Sequence, residues 1–276
     1  MLMFRGPTAR HDQERLMSST AKIIGDPLPR EMQQHTYSIM YQIEERHWWF
    51  VGRRRIIESF LEPVCSNLES NRSRILDIGC GTGANLEMLS RFGEAEGVDV
   101  STEALAFCRE RGLQNVRQGE AEHLPYEDGS FDLVTALDVV EHLDDDVAGL
   151  REMRRVLRTG GRAVLFVPAF KFLWGVQDDV SHHRRRYTLE GLKRAVCEAG
   201  FEIERATYAN ITFFAPILLG RLVMRATGFR PASENNINVS ALNKLLGYIL
   251  GAESSILRHM NLPLGVSAIC VARRVD

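Results

Sequence analysis

No stretch of this chain is apolar for long enough to cross a bilayer. The longest hydrophobic run, Ile211–Gly220, is closed by Arg221 and falls well short of the roughly 20 residues a spanning helix needs. Met1–Phe4 is too short for the apolar part of a secretory leader, and Arg5, Gly6 and Pro7 interrupt it, so no leader is expected. Cysteine is scarce and scattered. Cys65, Cys80, Cys108, Cys197 and Cys270 make an odd set of 5 with no C-x-x-C pair, which argues against a disulfide framework, a thiolate metal site or a redox motif. A reducing, cytoplasmic setting is the expectation. Charge of one sign is also missing. With 34 Lys and Arg against 36 Asp and Glu, the net charge of −2 argues against a general nucleic-acid binder, which needs a basic surface. There is no internal repeat and no low-complexity tract.

What is present is ordinary globular material. An apolar share of 45% and a charged share of 25% suit a folded domain, and 276 residues suffice for one α/β domain with additions or two small domains. The most informative segment is Arg74–Leu86, R-I-L-D-I-G-C-G-T-G-A-N-L. Ile75, Leu76 and Ile78 build a strand. Asp77 sits near its end, where open α/β sheets bind ligands. Gly79, Gly81 and Gly83 let the backbone turn tightly and approach a ligand closely. Gly79, Gly81 and Ala84 also satisfy a degenerate G-x-G-x-x-A pattern, so a dinucleotide remains open from this segment alone.

Further blocks follow in order. Glu94–Val100 is a second strand ending in Asp99, placed to meet a ribose diol. Then come V-R-Q-G-E-A-E-H-L-P-Y at Val116–Tyr126, F-D-L-V-T-A-L-D-V-V-E-H-L at Phe131–Leu143, and L-R-T-G-G-R-A-V-L-F-V-P at Leu157–Pro168. Taken together, these blocks resemble the class I S-adenosylmethionine-dependent methyltransferases. The resemblance runs from Arg72 to about Phe201 and returns, more weakly, at Gly265–Val275. It implies S-adenosylmethionine as cofactor, with S-adenosylhomocysteine as product. Asp77, Gly79, Cys80, Gly81 and Gly83 would cradle the methionine end, Cys80 being a small residue within the turn. Asp99, with Val100 beside it, would take the ribose hydroxyls. Glu120, Ala121 and Glu122 would face the adenine, Glu120 standing where the family more often has Asp. Asp138 and Val139 would flank the cofactor after the fourth strand.

Alternating strands and helices predict a Rossmann-like α/β fold: seven strands, mostly parallel, the last antiparallel in the resembled family. Strands are expected near 74–78, 95–99, 115–118, 131–137, 162–167, 201–208 and 266–273. Helices are expected near 84–91, 102–110, 145–157 and 188–199, the last capped by Thr188 and stopped by Gly200. Residues 1–30 read as a loosely ordered tail and 31–70 as a helical lid, helical from Glu31 to about Leu61. Residues 71–210 with 263–276 form the core. Residues 211–262 read as a helical insertion before the last strand. Within it Leu242, Leu245, Leu246, Ile249 and Leu250 form an i, i+3, i+4, i+7, i+8 stripe.

Three clusters carry the expected chemistry. Glu141 and His142 follow the fourth strand, and an imidazole suits a base at neutral pH. With His182 they are the candidate catalytic groups; the opposing reading is that His142 packs or caps the next helix. The segment Ser181–Thr188, S-H-H-R-R-R-Y-T, offers His183, Arg184, Arg185 and Tyr187 to an acceptor, since guanidinium forks suit phosphate or carboxylate. The alternative is a solvated basic turn with Tyr187 packed inward and the arginines partly neutralised by Asp178 and Asp179. Trp174 lies in the loop before it. His47–Arg55, H-W-W-F-V-G-R-R-R, places Trp48, Trp49 and Arg53 in a lid over the site, in packing against the sheet, or in an anchor at a membrane surface. Together with the later H-x-R-R-Y it resembles a bacterial methyltransferase subgroup associated with sugar, polyprenyl or lipid modification. Asp138, Glu141 and His142 are spaced like the metal-holding E-x-x-E-H set of small-RNA 2′-O-methyltransferases, with His182 or His183 as a further ligand. Asp138 departs from that pattern and is already assigned to the cofactor, so no metal is expected.

The sequence therefore predicts a monomeric or dimeric methyltransferase acting on an oxygen of a small or amphiphilic acceptor, lipid- or sugar-linked, that bears an anionic group. Peripheral membrane contact belongs to that expectation; nucleic acid does not. The rivals are a non-catalytic cofactor-binding or partner-binding scaffold of the same fold, and an NAD-dependent oxidoreductase.

Overall fold

A computed structural model of the chain describes residues 34–66, 73–229 and 240–276. The expected tail at 1–30 lies outside the described residues. The sheet strands are β1 (Arg74–Ile78), β2 (Glu94–Asp99), β3 (Val116–Gln118), β4 (Phe131–Leu137), β5 (Leu157–Pro168), β6 (Phe201–Ala209) and β7 (Ser267–Arg274). Their order is β3-β2-β1-β4-β5-β7-β6. β7 alone runs antiparallel to its neighbours, as expected. The central strands are continuous apolar runs because helices cover both faces of a parallel sheet; Ile75, Leu76, Leu133, Val134, Val164 and Leu165 are fully buried. The chain reverses direction across the sheet between β1 and β4. That switch point is where open α/β sheets leave a crevice beyond the strand ends.

The expected strands all form, with one difference. β5 begins at Leu157 rather than 162, because Phe131 pairs with Leu157 before the register shifts and Leu133 pairs with Arg162. Gly160, at φ +80°, lies within that bulge.

The helices are α1 (Gln34–Ile43), α2 (Trp48–Cys65), α3 (Ala84–Leu89), α4 (Thr102–Glu110), α5 (Asp146–Val156), α6 (Val176–Val180), α7 (Leu189–Glu198), α8 (Phe214–Thr227) and α9 (Ser240–Leu257). Thr188 caps α7, accepting from the Gly191 amide at 3.0 Å, and Gly200 follows the helix at φ +88°. The segment expected to form a lid holds two helices, α1 and α2. His47 interrupts the periodicity and caps α2, its Nδ1 accepting from the Trp49 amide at 3.3 Å.

The insertion is helical, as expected, but its apolar stripe is divided: Leu250 packs inward and Leu246 lines the cavity beyond the strand ends, while the rest points out. Leu242, Leu245 and Ile249 are exposed, whereas Leu250 and Leu257 are buried. The helix turns the second pair inward because α9 lies directly on α2: a Cβ at Gly52 would stand 2.7 Å from Leu250 Cβ. A buried carboxylate fastens the insertion to the core. Glu253 accepts from the Asn210 amide at 2.6 Å and the Thr212 hydroxyl at 2.9 Å. None of the described helices is long and apolar enough to cross a membrane.

Candidate active site

The strand ends and the two added helical layers enclose one cavity of about 630 Å³. Its floor is the turn after β1. Gly79 and Gly81 have φ of +63° and +54°, and a Cβ on Gly81 would meet nothing within 4 Å, so the turn faces open space. Asp99 accepts from the Gly81 amide at 2.9 Å and the Ser101 amide at 2.9 Å. That pair of bonds fixes its carboxylate at the cavity wall. Gly79, Cys80, Gly81, Asp99 and Val100 line the cavity, as do Glu120, Ala121 and Glu122, and then Asp138 and Val139.

Two of the expected cofactor residues stand behind this wall. Gly83 starts α3, where a Cβ would meet Leu113 at 2.7 Å, so its work is packing. Asp77 is buried under the turn. Its Oδ1 accepts from the Thr135 hydroxyl at 2.6 Å, and its Oδ2 has no partner. Burial pushes its carboxyl up to about 7.

The next wall forms where β4 ends. Asp138 has φ +62°, a conformation non-glycine residues adopt rarely and mostly at functional sites. Its carboxylate pairs with Arg53 of α2. Arg53 is buried and runs beside Phe166. Trp48, Trp49, Arg53 and Arg54 all line the cavity, and Trp48 packs on Phe213 with ring centres 4.6 Å apart. The His47–Arg55 segment is therefore a wall of the cavity as well as a packed layer. Beyond it the lining becomes apolar, through Pro216, Ile217 and Met224 of α8 and Leu246 of α9.

The basic segment after α6 divides. Arg184 and Arg186 line the cavity along with His183. Arg184 pairs with Asp144 at 2.9 Å and donates to His142 O at 2.6 Å, while Arg186 makes two bonds to Asp178 at 2.7 and 3.0 Å. Three of the expected substrate residues are not in the lining, which corrects the sequence expectation. Arg185 turns away to clamp the start of α5, donating to Leu143 O and Asp144 O at 2.8 Å and pairing with Asp146 at 2.9 Å. Tyr187 is buried, its hydroxyl donating to Asp146 at 2.6 Å. Trp174 donates from its ring nitrogen to Asp179 at 2.9 Å. Asp146 thus holds both Arg185 and Tyr187, and of the two acids the sequence offered as partners Asp179 takes Trp174 while Asp178 takes Arg186.

The three candidate catalytic groups also separate. His142 lines the cavity, but burial, with His183, His182 and Arg184 nearby, pushes its ring down to about 3. A ring held down in this way is neutral at pH 7, which weighs against the expected general-base role. Glu141 is fully buried behind His142, and burial pushes it up to about 8. His182, at φ +55°, is not in the lining.

Sequence reasoning missed Glu44. It sits just after α1, lines the cavity, accepts from the Thr82 hydroxyl and pairs with Arg111 at 2.8 Å. Only its place just after an amphipathic lid helix could have drawn attention to it.

Residues 76–165 match a methyltransferase-domain family. A methyltransferase-named protein of Encephalitozoon cuniculi is 28% identical over 180 residues, 57% of this chain and 79% of that one. A ubiquinone biosynthesis O-methyltransferase of Xanthomonas oryzae is 33% identical over 112 residues, 38% of this chain and 47% of that one. The chain thus spans less than half the length of the second relative. Among solved structures, a SAM-dependent methyltransferase from Thermotoga maritima superposes with a TM-score of 0.55 at 19% identity, covering 88% of this chain and 100% of that one. At that identity the likeness speaks for the fold.

Proposed function

We propose, on the premise that this chain belongs to the class I S-adenosylmethionine-dependent methyltransferases, that it methylates an oxygen of a small amphiphilic acceptor carrying an anionic group. S-adenosylmethionine supplies an activated methyl group on a sulfonium, which leaves the protein to align the partners and exclude water. The residues present fit it. The open turn at Gly81 leaves room for the methionine end, the unpartnered Asp77 Oδ2 lies beneath that turn, and Asp99 is pinned where a ribose diol would be met. Glu120 and Glu122, which line the same cavity, would face the adenine.

One observation carries the acceptor assignment: the same cavity continues from this turn to an apolar end between α2, α8 and α9. An amphiphile would put its apolar part against Trp48, Ile217, Met224 and Leu246. Its anionic group would meet the wall formed by Arg184 and Arg186. The outer sides of α8 and α9 expose Leu219, Leu222, Val223, Leu245 and Ile249, which supports peripheral contact with a lipid surface.

The test is methyl transfer from labelled S-adenosylmethionine to hydroxyl-bearing amphiphiles, with and without a phosphate or carboxylate, presented in micelles. Labelled product and calorimetric binding of S-adenosylhomocysteine are expected. Cofactor binding with no transfer to any hydroxyl acceptor would leave the non-catalytic scaffold as the better account. Binding of NAD in place of S-adenosylhomocysteine would overturn the whole assignment.

A further inference from the structure

Glu141, His142 and His183 each bring one ligand atom into a space where all three lie within 4.8 Å of one another. They come from two segments, the turn after β4 and the loop after α6. The glutamate is the unusual member. It is fully buried, and neither of its carboxylate oxygens has a hydrogen-bond partner. A buried carboxyl group with no hydrogen-bond partner is costly, and buried polar groups are ordinarily paired or on a metal. The neighbouring guanidiniums are engaged elsewhere: Arg53 on Asp138, Arg184 on Asp144 and Arg186 on Asp178.

His183 is prepared to meet this carboxylate through something other than a proton. Its Nδ1 lies 2.8 Å from Asp178 Oδ1. Asp178 is itself fixed by Arg186 and by the Gly175 amide at 2.7 Å. A carboxylate on Nδ1 holds the proton there and leaves the Nε2 lone pair free. That Nε2 stands 3.9 Å from Glu141 Oε1, too far for a hydrogen bond. The His142 ring meets the His183 ring edge-on, centres 4.7 Å apart, so a third lone pair can reach the same gap. Ligands about 2.0–2.2 Å from a shared ion stand roughly 3–4 Å apart, so small side-chain rotations would close the site. The Asp178–His183 pair is the outer support that metal-binding histidines usually have.

We propose that Glu141, His142 and His183 bind one divalent transition-metal cation, with a coordination position open to the cavity that His142 and His183 line. Two imidazoles and one carboxylate suit zinc, manganese, iron or cobalt better than magnesium. An acceptor hydroxyl at the open position would lose its proton to solvent more readily. That use of the site rests on the methyl-transfer reading; the site itself does not.

The experiment uses chelator-treated full-length protein, titrated with cobalt(II) by visible absorption and with zinc(II) by calorimetry. One equivalent should bind, with ligand-field bands of a nitrogen- and oxygen-ligated ion. Glu141→Gln and His183→Gln should each weaken binding by at least about 10-fold, whereas His182→Ala should leave it unchanged. Calorimetry with S-adenosylhomocysteine reports whether each variant is folded and tests the cofactor site separately. If Glu141→Gln does not fold, His183→Gln alone decides. Wild-type protein that binds cobalt(II) no better than folded His183→Gln, or that loses as much affinity in His182→Ala, overturns the proposal.

Discussion

Arg111 Nη2 donates to Glu44 Oε1 at 2.8 Å, and Nε of the same guanidinium donates to Thr82 O at 2.8 Å. Nη1 pairs with Glu45. One side chain of the sheet domain thereby joins the end of the first lid helix to the glycine turn. Arg111→Ala should loosen the lid and strand the buried Glu44. The expected result is a loss of about 2–3 kcal/mol of stability and weaker S-adenosylhomocysteine binding. Arg111→Lys should not rescue either, because an ammonium cannot reach three acceptors in fork geometry. Thermal melts and calorimetry on the three proteins check this; a lysine variant equal to wild type refutes it.

Asp99 fixes the turn from one side and faces the cavity from the other. Asp99→Ala should weaken S-adenosylhomocysteine binding by about 10-fold to 100-fold, the range for losing hydrogen bonds to a charged group. Calorimetry measures it directly. An unchanged dissociation constant would remove Asp99 from the cofactor site.

Asp77 makes stability depend on pH. Burial raises its carboxyl from 3.8 to about 7, so between those values the folded protein holds a proton that the unfolded chain has released. The associated stability is fully present below about pH 4 and is lost as pH rises through about 7. Asp77→Asn should flatten that part of the curve and gain stability relative to wild type at pH 8. Melting temperatures of both proteins from pH 4 to 9, without cofactor, test the sign. Parallel curves would show that Asp77 does not titrate in this range.

Arg185 separates the two readings of the basic segment. Bonded to two carbonyls and Asp146 at the start of α5, it should act on stability. Arg185→Ala is expected to lower the melting temperature by a few degrees while leaving the acceptor KM and cofactor affinity within twofold of wild type. A raised KM with an unchanged melting temperature would restore it to the acceptor site.

Much of the fold is legible in the sequence because its signals are local. Apolar runs mark strands that must be buried on both faces, Thr188 and Gly200 bound one helix, and three glycines within five residues can only be a tight turn. The seven strands, the antiparallel β7 and the helical insertion follow from such signals and from the family pattern. What fails is orientation. The stripe of α9 is real as a periodicity, yet it is split: Leu250 is buried against Gly52 of α2 while Leu245 and Ile249 face outward, and only that contact decides which part is covered.

The sequence by itself determined the glycine turn, the acidic residue closing the second strand and the order of elements that brings them together. All of these depend on residues near one another along the chain. Tertiary structure decided which arginines face the cavity, that desolvation and neighbouring cations hold the His142 ring neutral, and that Glu141 and His183 approach each other from segments 42 residues apart. The physical reason is that desolvation and charge pairing depend on neighbours in space, and those neighbours are chosen only when the layers close over one another.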